Sequence, residues 1–190
     1  MIKTVDLPAA WGRYAHLYSE GNEFRLGNRA ITDPFTTYVN YNSWVKFDTS
    51  QLTTLKIKDW QITSASIRVY VTSPATVPDV AIHRVIRDAT TSLDYNTYDG
   101  TNLWGRSGGR GLGTDIITTP ISTPTFSGNE NNISISAANL MDIHTSNRPV
   151  LFWTPDDWIN NNIYLVTSNS NISIRVTYKF SGLAGDATMF

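Results

Sequence analysis

Apolar and polar residues alternate along much of the chain. Over residues 62–72, Ala65, Ile67, Val69 and Val71 fall on one side, and Ser66, Arg68, Tyr70 and Thr72 on the other. That period of two predicts a strand with one buried face, ended by Ser73-Pro74. Near the end of the chain, Ile172, Ile174, Val176 and Tyr178 alternate with Ser173, Arg175, Thr177 and Lys179 and predict a closing strand. Further strands are expected over 80–87, with His83 on its surface, and over 38–47, ending at Asp48-Thr49-Ser50. Segments 4–7, 14–18, 131–136, 150–153 (with Trp153 in the core) and 163–166 complete the set. Only one stretch reads as helix: Ser136 is placed to cap 137–144, and Asn147-Arg148-Pro149 stops it.

Many short strands separated by turn residues predict an all-β fold, a jelly-roll-like β-sandwich of two antiparallel sheets with one short helix. The expected organisation is one domain over 1–180 and a flexible C-terminal tail over 181–190, whose apolar end, Met189 and Phe190, is suited to docking on a neighbour.

Composition narrows the function. Of 190 residues, 41% are apolar, enough for a core, and only 16% are charged, below the roughly 25% of an average soluble protein. Net charge is -1 with scattered basic residues, which argues against a nucleic-acid footprint. No run of 18 apolar residues exists, so no membrane-spanning helix is expected, and the absence of Cys excludes disulfides and thiol chemistry. The start, Met1 to Pro8, has no apolar core of a signal peptide, so synthesis in a cytoplasm without an export signal is expected.

The stretch 94–113 is dense in Gly, Asn and Asp and carries aromatic rings. A long loop on a β frame is where such a protein displays what it binds. Tyr95, Tyr98 and Trp104 are candidate stacking platforms for a glycan, with Asn96, Asp99 and Asn102 to bond its hydroxyls. The competing reading has Tyr98 and Trp104 folded back as a plug. Arg106 and Arg110 are candidate partner contacts, or with free amides an anion site.

Other motifs carry less chemistry. Gly105-Arg106-Ser107-Gly108-Gly109 matches the G-x-S-x-G elbow of serine hydrolases, but glycine follows where a helix should start. Gly109-Arg110-Gly111-Leu112-Gly113 lacks the Lys-Ser/Thr of a phosphate-binding loop. Asp94, Asn96 and Asp99 offer oxygen ligands for a hard cation, but Asx-turns explain the same residues more cheaply. His16, His83 and His144 have no metal-ligand spacing, and Asp94, Asp99, Asp156 and Asp157 are not placed as a hydrolytic pair. No catalytic residue, metal or cofactor is therefore assigned.

Three segments carry a family resemblance. Ser43 to Leu52, reading SWVKFDTSQL, resembles the "R-x-hydrophobic-hydrophobic-x-F-D-L-S-x-L" strand of DNRLRE-domain proteins. Residues 62–70, ITSASIRVY, resemble their "I-T-S-A-T-L-R-L-Y" strand, and 94–109 resembles their "W-N-x-x-D-G-T-N-x-W-x-x-x-G-G" loop, with Tyr95 in place of Trp. Residues 168–178 are similar in layout to their closing strand. The resemblance covers about 6–180 and implies a non-enzymatic jelly-roll-like module that binds polysaccharide or serves as an adhesive spacer.

Together these readings lead to an expected non-enzymatic virion protein, a bacteriophage capsid decoration or a tail or fibre component. It would be made in the host cytoplasm and repeated by symmetry against capsid or tail partners. The alternative is a carbohydrate-binding or adhesive module of a cell surface. Neither reading involves nucleic acid or a membrane.

Overall fold

A computed structural model describes residues 1–16, 19–32, 36–71, 80–146, 150–155 and 164–180. Along the chain come β1 (Ile2–His16), β2 (Ser19–Gly21), β3 (Phe24–Thr32), β4 (Thr36–Phe47), α1 (Ser50–Thr54), β5 (Ile62–Tyr70), β6 (Val80–Arg84), β7 (Glu130–Ile135), α2 (Ala137–Thr145), β8 (Val150–Pro155), β9 (Tyr164–Thr167) and β10 (Ile172–Lys179). Single 3-10 turns, Asp59–Gln61 and Asn169–Asn171, lead into β5 and β10. Among the described residues every strand-to-strand pairing is antiparallel. The strands join into one curled sheet in the order β6-β8-β4-β1-β10-β5-β7, with β2 beside β1 and β3 between β4 and β9. The all-β expectation holds, and no helix among the described residues is long and apolar enough to cross a membrane.

Strand β1 turns the sheet. Its first half, Ile2 to Pro8, pairs with β10, and its second half, Ala9 to Ala15, pairs with β4. The change of partner falls at a register irregularity between Ala9 and Trp11. Pro8 has no N–H to give a ladder, and it stands where the partner changes.

The predicted alternation is realised where one face is wet. In β5, Ala65, Ile67 and Val69 are buried, and β7 and β10 repeat the pattern through Ile133, Ile135, Ile172, Ile174, Val176 and Tyr178. These side chains share one core with Val45 and Phe47 of β4, Ile82 of β6, and Leu151 and Trp153 of β8. Both ends of the strand order therefore face the same apolar interior.

The β6-β8-β4 end behaves differently, because it is buried on both faces. Trp44, Val150 and Phe152, the alternate residues of β4 and β8, belong to a second cluster with Val85, Ala89, Leu93, Trp104 and Ile116. Residues 85–116 thus pack on the face that points away from the main core, while Phe126 returns to the main core beside Trp153. Strands covered on both sides read as continuous apolar runs, which is why β8 begins Val-Leu-Phe-Trp.

This second layer corrects two expectations. His83 is not on a strand surface: it is 6% exposed, and its Nδ1 shares a hydrogen bond with the Ile117 carbonyl at 2.9 Å. The strand expected over 80–87 ends at Arg84, after which Val85 N donates to Val150 O and Ile86 N donates to Asp115 O as the chain enters the covering segment. The helix calls for a further correction. α2 forms with its Ser136 cap, the Asn139 N–H donating to Ser136 Oγ at 3.0 Å, but it is not alone, because α1 makes one turn directly after β4. The expected Ser73-Pro74 stop, Asp156, Asp157 and the tail with Met189 and Phe190 lie outside the described residues.

Candidate functional site

The loop singled out in the sequence is a folded unit. Asx-turns build its first half. Asp94 Oδ1 accepts the Asn96 and Thr97 amides, each at 2.6 Å, and Asp99 Oδ1 accepts those of Thr101 (2.9 Å) and Asn102 (2.7 Å). Asn102 Nδ2 also donates to Asp99 Oδ2 at 2.7 Å. Of the oxygens considered as cation ligands, Asp94 Oδ1 and both oxygens of Asp99 are thereby engaged by the loop's own amides. Burial pushes the Asp94 carboxyl up, but the Thr97 and Asn96 amides outweigh it and hold the group below its ordinary value. The Asn102 amide and side chain, with the Thr101 amide, do the same for Asp99.

These turns aim the rings inward. Trp104 is 5% exposed; its indole N–H donates to the Asp94 carbonyl at 3.0 Å. It stacks on Trp44 with centroids 5.8 Å apart and planes at 16°, while Tyr98 meets it edge-on at 5.6 Å. The Arg87 guanidinium lies over Tyr98 at 5.6 Å. Tyr95 is half-buried against the same cluster. The geometry of Tyr98 and Trp104 is that of the plug, with Trp104 offering no open ring face.

The glycine-rich half wraps a carboxylate that the sequence did not single out. Asp115 is fully buried. Its Oδ1 accepts the Gly105 amide at 2.7 Å, and its Oδ2 accepts the Arg106 amide at 2.9 Å and the Gly111 amide at 3.0 Å. Arg87 Nε adds a contact to Oδ1 at 3.4 Å. The amides considered for an external anion hold an internal one. A Cβ on Gly111 would stand 2.5 Å from Asp115 Oδ2 and 2.2 Å from Thr114 Oγ1, so only glycine lets the backbone come this close. Ser107 sits in the turn closed by Gly109 N donating to Arg106 O, a context unlike a nucleophile elbow. The only signal in the sequence was the glycine spacing itself.

Outward, the unit presents Leu103 (70% exposed), Leu112 (58% exposed) and the exposed Arg106. Arg110 is partly buried beside them. Its Nη2 donates to Thr154 Oγ1 at 2.6 Å and to Asn42 Oδ1 at 3.2 Å, both neutral. Burial pushes the Arg110 guanidinium down, Tyr95 raises it, and Arg106 lowers it further.

Two other concavities lie away from this loop unit. A groove of about 200 Å³ runs over β5, β7 and β10, lined by Arg68, Tyr70, Glu130, Asn132 and Ser173 among others. Register explains the cluster: Arg68 is opposite both Asn132 and Ser173, and Tyr70 is opposite Glu130. Tyr70 is 47% exposed. The second, of about 420 Å³, lies where α1 meets α2. There the His144 ring is bracketed by Thr49 Oγ1 (3.0 Å, to Nδ1) and Thr53 Oγ1 (3.2 Å, to Nε2). Among the described residues no three His, Asp or Glu side chains come together as a metal would require.

No protein-family model matches the chain, and no curated protein matches it.

Proposed function

We propose that the chain is a non-enzymatic structural module of a multiprotein particle, such as a bacteriophage capsid decoration or a tail or fibre component, that acts by docking. One observation carries this reading: the long segment after β6 is held to the sheet by the Trp44–Trp104 stack and knit together internally by the Asp115 carboxylate, and it still leaves Leu103 and Leu112 in solvent. Apolar side chains held out on a rigid frame lose little entropy on burial, which is what a protein-docking surface needs. Repetition by symmetry would let many weak contacts add up. We also infer that the curled sheet is a jelly-roll-like sandwich, because both ends of its strand order share one core.

The test is assembly. The wild-type chain is mixed with candidate particles lacking it, and Leu103→Ser with Leu112→Ser serves as control. Saturable incorporation lost in the double variant supports the reading; a chain that ignores capsids and tails alike overturns it.

A second reading, a carbohydrate-binding module, is favoured by the groove over β5, β7 and β10. An exposed Tyr70 ring flanked by Arg68, Glu130, Asn132 and Ser173 combines a stacking face with hydroxyl partners. A glycan array with Tyr70→Ala decides it: binding that survives this change places no sugar there.

A further inference from the structure

One rim of the sheet gathers residues from three segments. β1 begins there with Ile2, opposite Lys179 at the end of β10, and Tyr178 is opposite Ile62, where β5 begins. Phe180 N donates to Met1 O at 2.8 Å, and Gln61 Nε2 donates to Lys179 O at 3.2 Å. The second bond ties the link from α1 to β5 onto this rim. The link is braced along its length. Ile57 N donates to Leu52 O and Gln61 N to Lys58 O, each at 3.0 Å, and Lys58 N donates to Gln61 Oε1 at 2.8 Å. Ile57 and Gln61 are buried, while Leu55, Lys56 and Lys58 stand in solvent and Trp60 is 71% exposed. Lys56 has φ of 51° and, among the described residues, is the only residue other than glycine with positive φ. Strain of that kind persists only where the surrounding structure imposes it, and it gathers at functional positions.

The same rim is basic. Lys3, Lys56, Lys58 and Lys179 are all exposed, and among the described residues none of them forms an ion pair. The link's own acid, Asp59, accepts the Trp60 amide through Oδ1 at 2.8 Å. Lys3 Nζ lies 4.0 Å from the centroid of the Phe180 ring. The lysines form no basic run in the sequence; strand register and the Gln61 bond bring them to one end of the molecule.

We propose that this rim docks on an anionic lipid surface, with Trp60 inserted among the headgroups and the lysines against their phosphates. Two features favour lipid over other polyanions. The cations are all lysines, which protein interfaces deplete in favour of arginine, whereas lysine beside an exposed tryptophan is the composition of a headgroup anchor. The ring is accompanied by the exposed apolar side chains of Ile2, Leu55 and Phe180. The boundary between headgroups and acyl chains accommodates them, and base stacking on a nucleic acid makes no use of them. Lysine stems can lie along such apolar surface while their ammonium groups reach outward. The proposal does not rest on docking through Leu103 and Leu112, which belong to another segment.

The experiment is co-sedimentation of the whole chain with vesicles, made of phosphatidylcholine alone or with about one third phosphatidylglycerol. We expect binding to the anionic vesicles that salt weakens, and about tenfold or more weaker binding to the neutral ones. Lys56→Gln with Lys58→Gln should weaken binding about fivefold per lysine. Trp60→Ala should weaken it about tenfold. Acyl chains brominated near the headgroup should quench tryptophan fluorescence markedly more in the wild type than in Trp60→Phe. These positions are exposed, so the variants should keep the wild-type thermal midpoint. Leu103→Ser with Leu112→Ser should bind vesicles as the wild type does; loss of binding there would place the contact on the other segment and overturn the proposal. No sedimentation with either vesicle overturns it, as do equal binding to both compositions and unchanged binding by Trp60→Ala. Poly-glutamate or an oligothymidylate bound more tightly than the anionic vesicles would make the rim a protein or nucleic-acid site and overturn the lipid surface.

Discussion

The backbone of Gly109 lies against the Trp44–Trp104 stack: a Cβ there would stand 3.1 Å from Trp44 Cζ2, 3.2 Å from its indole nitrogen and 3.4 Å from Trp104 Cε2. Its φ of 68° is also in the left-handed region. Gly109→Ala therefore combines backbone strain with overpacking of two rings that cannot move apart without losing Phe152, which is 5.3 Å from Trp44. We expect a loss of about 2–4 kcal/mol in denaturant unfolding. Trp104→Ala, which leaves a ring-sized void, should cost about 3–5 kcal/mol. A glycine variant as stable as wild type would mean that the stack is looser than described.

Asp115 is predicted to be the residue on which the loop's shape depends most. Asp115→Asn keeps the size but replaces one acceptor oxygen with an NH2 group facing N–H donors. Gly105, or Arg106 and Gly111, would then lose an acceptor in a buried place. The expected loss is about 2–4 kcal/mol. Hydrogen exchange gives the more specific readout: the Gly105, Arg106 and Gly111 amides should exchange much faster in the variant, while those of β5 and β10 hardly change. Uniform acceleration across the sheet would show that the carboxylate supports the whole fold and not the loop alone.

The sequence showed its strands where each had one wet face. β5, β7 and β10 alternate because the sheet there has water on one side. In β6 the same logic misplaced His83, since nothing in five apolar-rich residues tells that a loop 34 residues downstream will cover the second face. β3 gave no signal: after Phe24 and Leu26 comes Gly27 with φ of 118°, and the strand owes its place to pairing with β4 and β9. α1 is too short for periodicity, burying only Leu52. For the aromatic loop residues the sequence put the plug ahead of the platform but left both open, because burial of Trp104 depends on Trp44, 60 positions away in another element. Asp115 stood in a Gly-Thr stretch where any Asp suggests a turn.

The Ser136 cap offers a test of local stability. Its Oγ satisfies the Asn139 amide, one of the first-turn donors that lack a carbonyl. α2 is nine residues long and carries Leu140 and Ile143 into the core. Ser136→Ala should cost about 1 kcal/mol and Ser136→Asp less, because Asp also caps and its charge suits a helix N-terminus. If both variants match wild type in denaturant titrations, packing of Leu140 and Ile143 alone holds the helix.

Acid should loosen this protein through carboxylates that hydrogen bonds hold ionised in its strands and turns. Asp6 is held down by hydrogen bonds from Arg175 at 2.8 Å across the β1–β10 pair, and Asp48 by the Ser50 side chain and amide. Asp94 and Asp99 are held down by the amides of their turns. For each, the folded value lies below the ordinary 3.8. The stabilisation is therefore complete above that value and disappears as pH falls through the lower folded values. Thermal midpoints should be level from about pH 7 to about pH 5 as far as these groups decide them, and then fall below about pH 4. The Asp6–Arg175 share should be the more salt-sensitive, since both side chains are more than two-fifths exposed (45% and 42%). Asp94→Asn with Asp99→Asn preserves one acceptor oxygen per turn and removes the titration, so the acid slope should flatten in that variant even at high salt. Because Trp104 hangs from the Asp94 carbonyl, its fluorescence should change before the far-ultraviolet signal of the sheet does. An unchanged acid slope in the double variant would mean that the turns tolerate protonation and that the acid sensitivity arises elsewhere in the sheet.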